Sequence, residues 1–203
     1  MVALQRCPSA DVRRREIVSA AASLFSRRGF AGTTSAALAK ACGVSEGLIY
    51  KLFASKQSLY DAIIEHKLET WEDMKLEASA STPLEDVLTS LARHVFARVQ
   101  EDPDFVRLMR YADLQESAFS QRFLEVRATS NLRSLGEHLS ARIAAGELRS
   151  DIDPHLAGAA FLCQVWNYAI GVKVFGHVAC FPPADDADVI RTFVAIFVRG
   201  VRR

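Results

Sequence analysis

The stretch that decides the fold runs from Thr33 to Lys56 and reads TTSAALAKACGVSEGLIYKLFASK. Its pattern predicts a short helix from about Thr34 to Ala41, a tight turn at Gly43, and a second short helix from Ser45 to about Leu52. Threonine and serine are preferred helix N-caps, and glycine is the residue that most readily makes such a turn. A short helix, a turn containing glycine and a second helix together have the geometry of a helix-turn-helix motif.

The composition of these two helices favours close packing. The first is rich in alanine, so the second can cross it closely, and Val44 and Ile49 are predicted to fill the core between them. The outward face of the second helix is then free to enter the major groove of double-stranded DNA. Spacing alone leaves another interpretation open, in which the same helices dock onto a protein.

Helical spacing of apolar residues recurs along the rest of the chain, and alternating strand patterns are absent. The pattern predicts an all-α protein of about nine helices, with an N-terminal three-helix helix-turn-helix head and a C-terminal helical body. The predicted domains are residues 1–55 and residues 56–203. Outside the motif the predicted helices are approximately Val12–Arg27, Lys56–Ser79, Pro83–Glu101, Phe105–Leu114, Ser117–Ala145, Pro154–Phe175 and Asp185–Val201.

Charge is distributed unevenly along the 203 residues, although the formal net charge is only +1. Residues 1–60 contain nine Lys or Arg and three acidic residues, whereas residues 61–203 contain 16 Lys or Arg and 21 acidic residues. A basic segment of +6 therefore precedes an acidic segment of −5. Such asymmetry indicates a module that binds a polyanion, joined to a body with another task.

The block from Gly29-Phe30 through Thr33-Thr34 and Leu38 to Lys56, followed by Leu59, resembles the TetR/AcrR family of bacterial transcriptional regulators. It is similar to the family pattern G-(F/Y)-x-x-T-T followed by I-A-x-x-A-G-V-S-x-G-x-(L/I)-Y-x-H/Y-F-x-S-K. Leu38 replaces the usual isoleucine, and this apolar substitution is expected to be tolerated in the packing. Leu52 stands where the family often has His or Tyr, so the contact made there by other members is not expected here.

Five residues are predicted to contact DNA phosphates, by chemistry together with this resemblance. Thr33 and Thr34 stand at a helix N-terminus, where a hydroxyl and free amides can hold a phosphate; a plain N-cap is the alternative, and both roles can hold at once. Tyr50 resembles the family tyrosine that bonds a phosphate, with a core tyrosine as the alternative. Lys51 and Lys56 are cationic candidates for the same role.

The start of the second motif helix is predicted to read base edges in the major groove. Ser45, Glu46, Gly47 and Leu48 occupy that position. A glutamate can accept a hydrogen bond from a cytosine amino group, a leucine can touch a thymine methyl, and glycine allows a close backbone approach. Arg14, within a run of three arginines, is predicted to track phosphate or the minor groove, although a solvated charge run is the alternative.

The body contains large apolar residues with a few polar ones, which is typical of a ligand cavity between helices. The resemblance implies a small, often hydrophobic effector there. An ordinary packed core is the alternative for each residue. The predicted pocket residues are Phe96, Met109, Phe123, Phe161, Gln164, Trp166, Asn167 and Tyr168.

The last two helices are apolar on more than one face, so each must be buried on both sides. Val189, Phe193, Ile196 and Phe197 are predicted to form a stripe for a partner. Two copies of each helix would form a four-helix interface about a two-fold axis. The sequence thus predicts a homodimer that presents two recognition helices to a palindromic DNA operator.

Several function classes are disfavoured by the sequence. The histidines are scattered and no catalytic or phosphate-loop signature occurs, so the protein is expected not to be an enzyme and to need no cofactor or metal. The longest uncharged run, Leu156 to Val172, contains Gln164 and Asn167 and is interpreted as a buried helix rather than a membrane span. The four cysteines fit no metal site or disulfide framework; reduced thiols are the main interpretation and a redox sensor the alternative.

The resemblance implies a dimeric transcriptional regulator that binds DNA, and a repressor is the leading hypothesis. A small, hydrophobic effector would release it from its operator, and the expected location is cytoplasmic, associated with the nucleoid and without membrane contact. Three alternatives stay open at this point. They are a helix-turn-helix activator, a helical enzyme acting on a hydrophobic ligand, and a protein-docking module.

Overall fold

The computed structural model describes residues 10–70, 82–114, 129–177 and 184–203. Within these ranges the chain forms nine α-helices and one short π-helical turn, which confirms the all-α fold. The predicted helices 117–145 and 56–79 extend beyond the described residues. The helices are α1 Ala10–Arg28, α2 Ser35–Cys42, α3 Glu46–Leu52, α4 Lys56–Thr70, α5 Leu84–Glu101, α6 Pro103–Leu114, α7 Thr129–Ala144, α8 Pro154–Ala169 with the π-turn Ile170–Val174, and α9 Asp186–Val201.

The helices divide into two compact units. The first unit comprises α1 to α4 together with α6, and the second comprises α5 and α7 to α9. The helix that follows the motif, α4, is therefore grouped with the head. The domain boundary at residues 55 and 56 stays a prediction.

An aromatic cluster holds the first unit together. The ring of Tyr60 meets that of Phe25 edge-on, with centroids 5.2 Å apart, and packs similarly on Phe30 at 5.4 Å. Its hydroxyl donates to the carbonyl oxygen of Leu108 at 2.9 Å, which ties α4 to α6. Burial raises the pKa of Tyr60 to about 12. The phenol therefore stays a neutral donor at any physiological pH.

Gly29 ends α1 in the left-handed region, with φ of 68°. A Cβ placed there would lie 3.1 Å from the ring of Tyr111 in α6. Both the backbone conformation and the close approach require glycine, which explains the Gly29-Phe30 start of the sequence block.

Two glycines let α7 and α8 pack closely in the second unit. The ring of His155 occupies the space where a Cβ of Gly136 would stand, and a Cβ on Gly158 would lie 3.2 Å from Leu135 Cγ. Arg142, at the end of α7, is almost completely buried. Its guanidinium binds Glu147, the ring of His138 and the carbonyl oxygen of Thr82. These bonds fix the C-terminal end of α7.

The sequence-based interpretation of the uncharged run as a buried helix is wrong for one face of α8. Phe161, Leu162 and Val165 are buried, but Gln164 and Asn167 are exposed. The reason is helical periodicity: at about 100° per residue, the three buried side chains lie within a sector of about 100°, and both amides lie outside that sector. The helix is therefore only half covered within its own unit.

Candidate nucleic-acid interface

Capping bonds define the ends of both motif helices. Thr34 Oγ1 accepts from the amide of Ala37 at 3.2 Å, and Ser45 Oγ accepts from the amide of Leu48 at 3.2 Å. Gly43 ends α2 in the left-handed region, with φ of 64°. The turn between the helices is thus specified by a glycine and two hydroxyl caps, as the sequence predicted.

α3 presents one face to the core and another to solvent. Ile49 is buried, whereas Ser45, Glu46 and Gly47 at the N-terminal end are exposed, and Leu48 is half-buried. Apart from its two chain neighbours and the backbone of its own helix, no described atom lies within 4 Å of the position where a Cβ of Gly47 would stand. The start of α3 is therefore an open surface on which a large ligand can rest.

Tyr50 extends this open surface toward α2. It is 46% exposed, so it is not the core tyrosine of the alternative interpretation. Its hydroxyl forms a hydrogen bond with Ser35 Oγ at the first position of α2. Lys51 is exposed beside it. The sequence analysis did not identify Ser35 as part of this surface. Its position directly after the capping Thr34 could have indicated it.

Thr33 requires a correction, because its side chain is not available to DNA. The residue is completely buried, and Oγ1 donates to the carbonyl oxygen of Gly29 at 2.7 Å. Its place in the sequence block reflects a structural bond that closes the turn after α1. Thr34, the next residue, is exposed and keeps its phosphate prediction.

Two of the predicted cations are bound to backbone carbonyls within the first unit. Lys56 Nζ donates to the carbonyl oxygens of Phe30 at 2.9 Å and Thr33 at 3.0 Å, and lies 4.2 Å from the centroid of the Phe30 ring. Arg14 donates to the carbonyl oxygen of Leu52 at 2.7 Å. Both side chains therefore hold the motif in place, and phosphate contact by either stays a prediction.

Cys42, the last residue of α2, is half-buried against α1. Burial raises the pKa of its thiol, and Sγ lies 3.8 Å from the carbonyl oxygen of Ile17. A raised thiol pKa means less of the reactive thiolate. This environment disfavours the redox-sensor interpretation for Cys42.

The predicted pocket residues that the structure describes are divided between the two units. Phe96 stacks on Tyr168 with centroids 6.0 Å apart, so these two are brought together in the second unit. Phe161 is fully buried and Trp166 half-buried in that unit, Met109 is buried in the first unit, and Phe123 lies outside the described residues.

Gln164 and Asn167 are corrections, since they were expected to be buried hydrogen-bonding groups. Both are exposed, and Asn167 Nδ2 donates to the carbonyl oxygen of Cys163 at 2.8 Å. They share the exposed face of α8 with Leu156, whose side chain is 72% exposed. Within this unit, that face is uncovered.

The predicted partner residues divide between core and surface. Val189 is buried, and Phe193 and Phe197 are half-buried against Tyr168 and Phe161, respectively. Burial inside its own unit removes Val189 from the candidate partner surface. Ile196 is 60% exposed and remains a candidate.

No helix in the described ranges is both long enough and apolar enough to cross a bilayer.

Both halves of the chain match known transcriptional regulators. Residues 17–63 match the profile of the bacterial regulatory proteins of the tetR family, and residues 86–200, more than half of the chain, match that of the C-terminal domain of AefR-like transcriptional repressors. The structure is also similar to that of AibR in complex with isovaleryl coenzyme A and operator DNA. That TM-score is 0.66 at 21% identity, with 91% of this chain and 97% of AibR covered, which shows the fold.

Two curated relatives extend this similarity. The repressor NicS of Pseudomonas putida is 27% identical over 158 residues, which cover 77% of this chain and 69% of NicS. The repressor KstR2 of Rhodococcus jostii is 30% identical over 159 residues, which cover 71% of this chain and 72% of KstR2. With its helix-turn-helix head and its matching C-terminal part, the chain belongs to the TetR family of bacterial transcriptional regulators.

Proposed function

We propose that the protein is a homodimeric repressor that binds a palindromic operator through the N-terminal end of α3 and the start of α2. The observation that carries this proposal is the exposed surface formed by Ser45, Glu46, Gly47 and Tyr50. Repression is favoured over activation because NicS and KstR2 are both described as repressors.

Phosphate binding is assigned to two hydroxyls from neighbouring helices. Tyr50 of α3 and Ser35 of α2 are within hydrogen-bonding distance, so one phosphate oxygen can reach both groups. The N-terminus of α2 adds backbone N–H groups and the positive end of the helix dipole. Lys51, the exposed residue next to Tyr50, adds a positive charge. Such contacts fix the protein on the duplex without selecting its sequence.

Base reading is assigned to Glu46 and Leu48 at the start of α3. Glu46 is exposed and can accept from a cytosine amino group, and half-buried Leu48 can touch a thymine methyl. Gly47 lets the backbone approach because no side chain projects there. Sequence preference should therefore change at one or two base pairs when either side chain is replaced.

The dimer is assigned to the uncovered faces of α8 and α9. Leu156 is 72% exposed and Ile196 is 60% exposed, whereas most of the described large apolar side chains of this unit are buried. Two copies of these helices would form a four-helix interface about a two-fold axis. That symmetry suits a palindrome with half-sites about 34–36 Å apart, or a multiple of a helical turn.

A small apolar effector is proposed to release the repressor. The AibR complex contains both a small molecule and operator DNA, which supports an effector in this chain too. The effector would shift the population between two states by its difference in affinity for them. The hydrogen bond from Tyr60 to Leu108 links α4 to α6 within the first unit, so a movement of α6 can be transmitted to α4. Catalytic turnover of the effector is not expected, and the proposed location is the cytoplasm.

The test is DNA binding measured by fluorescence anisotropy, on a fragment recovered by selection from genomic DNA. We expect log affinity to fall linearly with log salt concentration, because phosphate contacts release counterions. Tyr50→Phe combined with Ser35→Ala should weaken binding to all sequences alike, and Arg133→Gln, at an exposed residue of α7, serves as the control. A salt slope near zero would refute nucleic-acid binding. Unchanged affinity in the folded double variant would refute the phosphate assignment.

A further inference from the structure

A groove of about 440 Å³ lies between α5 and α9 in the second unit. The two helices run antiparallel there. Glu85 pairs with Arg202 at 2.6 Å near one end, whereas farther along Phe96 of α5 and Phe193 of α9 both pack on Tyr168. Small-molecule sites typically have volumes of roughly 300–1,000 Å³. The groove is therefore large enough for a ligand of modest size.

The floor of this groove is apolar. Ile190, Val194 and Val198 line it from α9 and are buried, with Ala187 and Ala195 beside them. From Ile190 to Val198 the helix rises about 12 Å. An extended hydrocarbon segment can lie along this floor and gain free energy from leaving water.

The rim of the groove is cationic. Arg93 of α5 and Arg191 and Arg199 of α9 line it and are exposed. Arg191 forms an ion pair with Asp188. Arg93 and Arg199 form no ion pair with any described residue. Two guanidinium groups are thus available to an anion above an apolar floor.

This groove is separate from the surface assigned to the dimer. Ile196 lies about 200° around the helix from Val194, since each residue of an α-helix turns the chain by about 100°. Val194 lines the groove, whereas exposed Ile196 belongs to the proposed partner surface. A ligand on the floor of the groove and a second copy of the chain would contact opposite sides of α9, whereas Arg199, three residues from Ile196, lies at the edge between the two surfaces.

We propose that the groove binds a small amphiphilic anion. A linear apolar body would lie over Ile190, Val194 and Val198, and a carboxylate or phosphate head would bind Arg93 and Arg199. The planar guanidinium group matches either head with two parallel hydrogen bonds. This site goes beyond the effector pocket proposed above, because none of the predicted pocket residues lines it.

The test uses the full chain with octanoate and octyl phosphate as probes, which distinguish the two head groups. Isothermal titration calorimetry should give saturable binding of at least one of them. Backbone amide signals of α5 and α9 should shift in nitrogen-15 correlation spectra. Octanol, which lacks the charge, and acetate, which lacks the tail, should bind much more weakly. The proposal would be overturned if neither probe showed saturable binding up to roughly 10 mM.

Two variants separate the groove from adventitious binding. Arg93→Gln combined with Arg199→Gln should weaken binding of the probe by roughly tenfold. Two ionic contacts with the head group are lost, and solvent partly screens each of them. Arg133→Gln, an exposed arginine of α7 outside the groove, should leave affinity unchanged. Ala195→Trp should block the floor. Equal affinity in the double variant and in Arg133→Gln would overturn the assignment to this groove, as would equal binding of octanol.

Discussion

Replacing Lys56 by methionine should destabilise the first unit even in the absence of DNA. The ammonium group donates to two backbone carbonyls, at 2.9 Å and 3.0 Å, and lies over the Phe30 ring. Methionine keeps most of the apolar stem but removes all three interactions. Thr33 is completely buried, so its carbonyl oxygen would lose a partner where water has little access.

The expected loss of stability is about 2 kcal/mol. A hydrogen bond to a charged group is worth about 1.5–3 kcal/mol, but Lys56 is only half-buried, and solvent screens its charge. For a chain of this length, such a loss lowers the melting temperature by about 4–8 °C. Thermal and urea unfolding followed by circular dichroism measure it. Faster hydrogen exchange at the amides between α1 and α2 would localise it.

Lys51→Met is the matched control, because Lys51 is exposed at the proposed DNA surface. It should leave the melting temperature unchanged and weaken DNA binding, with the salt slope reduced by about one. The reasoning about Lys56 is refuted if Lys56→Met melts within about 1 °C of the parent protein.

Three further predictions concern other positions. Gly29→Ala should cost about 1 kcal/mol or more in urea unfolding, because φ is positive and an aromatic ring lies close, whereas Gly47→Ala should cost nothing. Tyr60 has its pKa raised to about 12, above the ordinary value of about 10, so its contribution to stability should be complete below pH 10 and be lost as the pH rises toward 12. Tyr60→Phe should remove that part of the pH dependence of unfolding. Ile196→Ser should shift the chain from dimer to monomer in sedimentation, whereas Leu114→Ser, at an even more exposed leucine of the first unit, should not.

Features that depend on local backbone chemistry could be predicted from the sequence. The turn at Gly43 and the caps at Thr34 and Ser45 lie where the residue types indicated, because a capping hydroxyl or a left-handed glycine acts over three or four residues. The all-α fold class could be predicted from apolar spacing, because helical periodicity also acts over three or four residues. The family followed from many such positions in register along one block.

Features that depend on contacts between distant segments could not be predicted. Thr33 and Thr34 are adjacent and chemically identical, yet one is completely buried against Gly29 and the other is exposed. The partners of Lys56 lie 26 and 23 residues earlier in the chain, so no local pattern indicates that its charge is bound internally.

The misassignment of Gln164 and Asn167 has a physical cause that also supports the dimer. An uncharged helix with two amides was predicted to be a core helix whose polar groups orient a ligand. That prediction assumes that all neighbours of the helix come from the same chain. In the described unit, the face that carries both amides and Leu156 is uncovered. Apolar composition on a face that its own unit leaves exposed indicates a second surface to cover it. The exposed face of α8 therefore supports the proposed homodimer, in which a second copy of the chain would cover it.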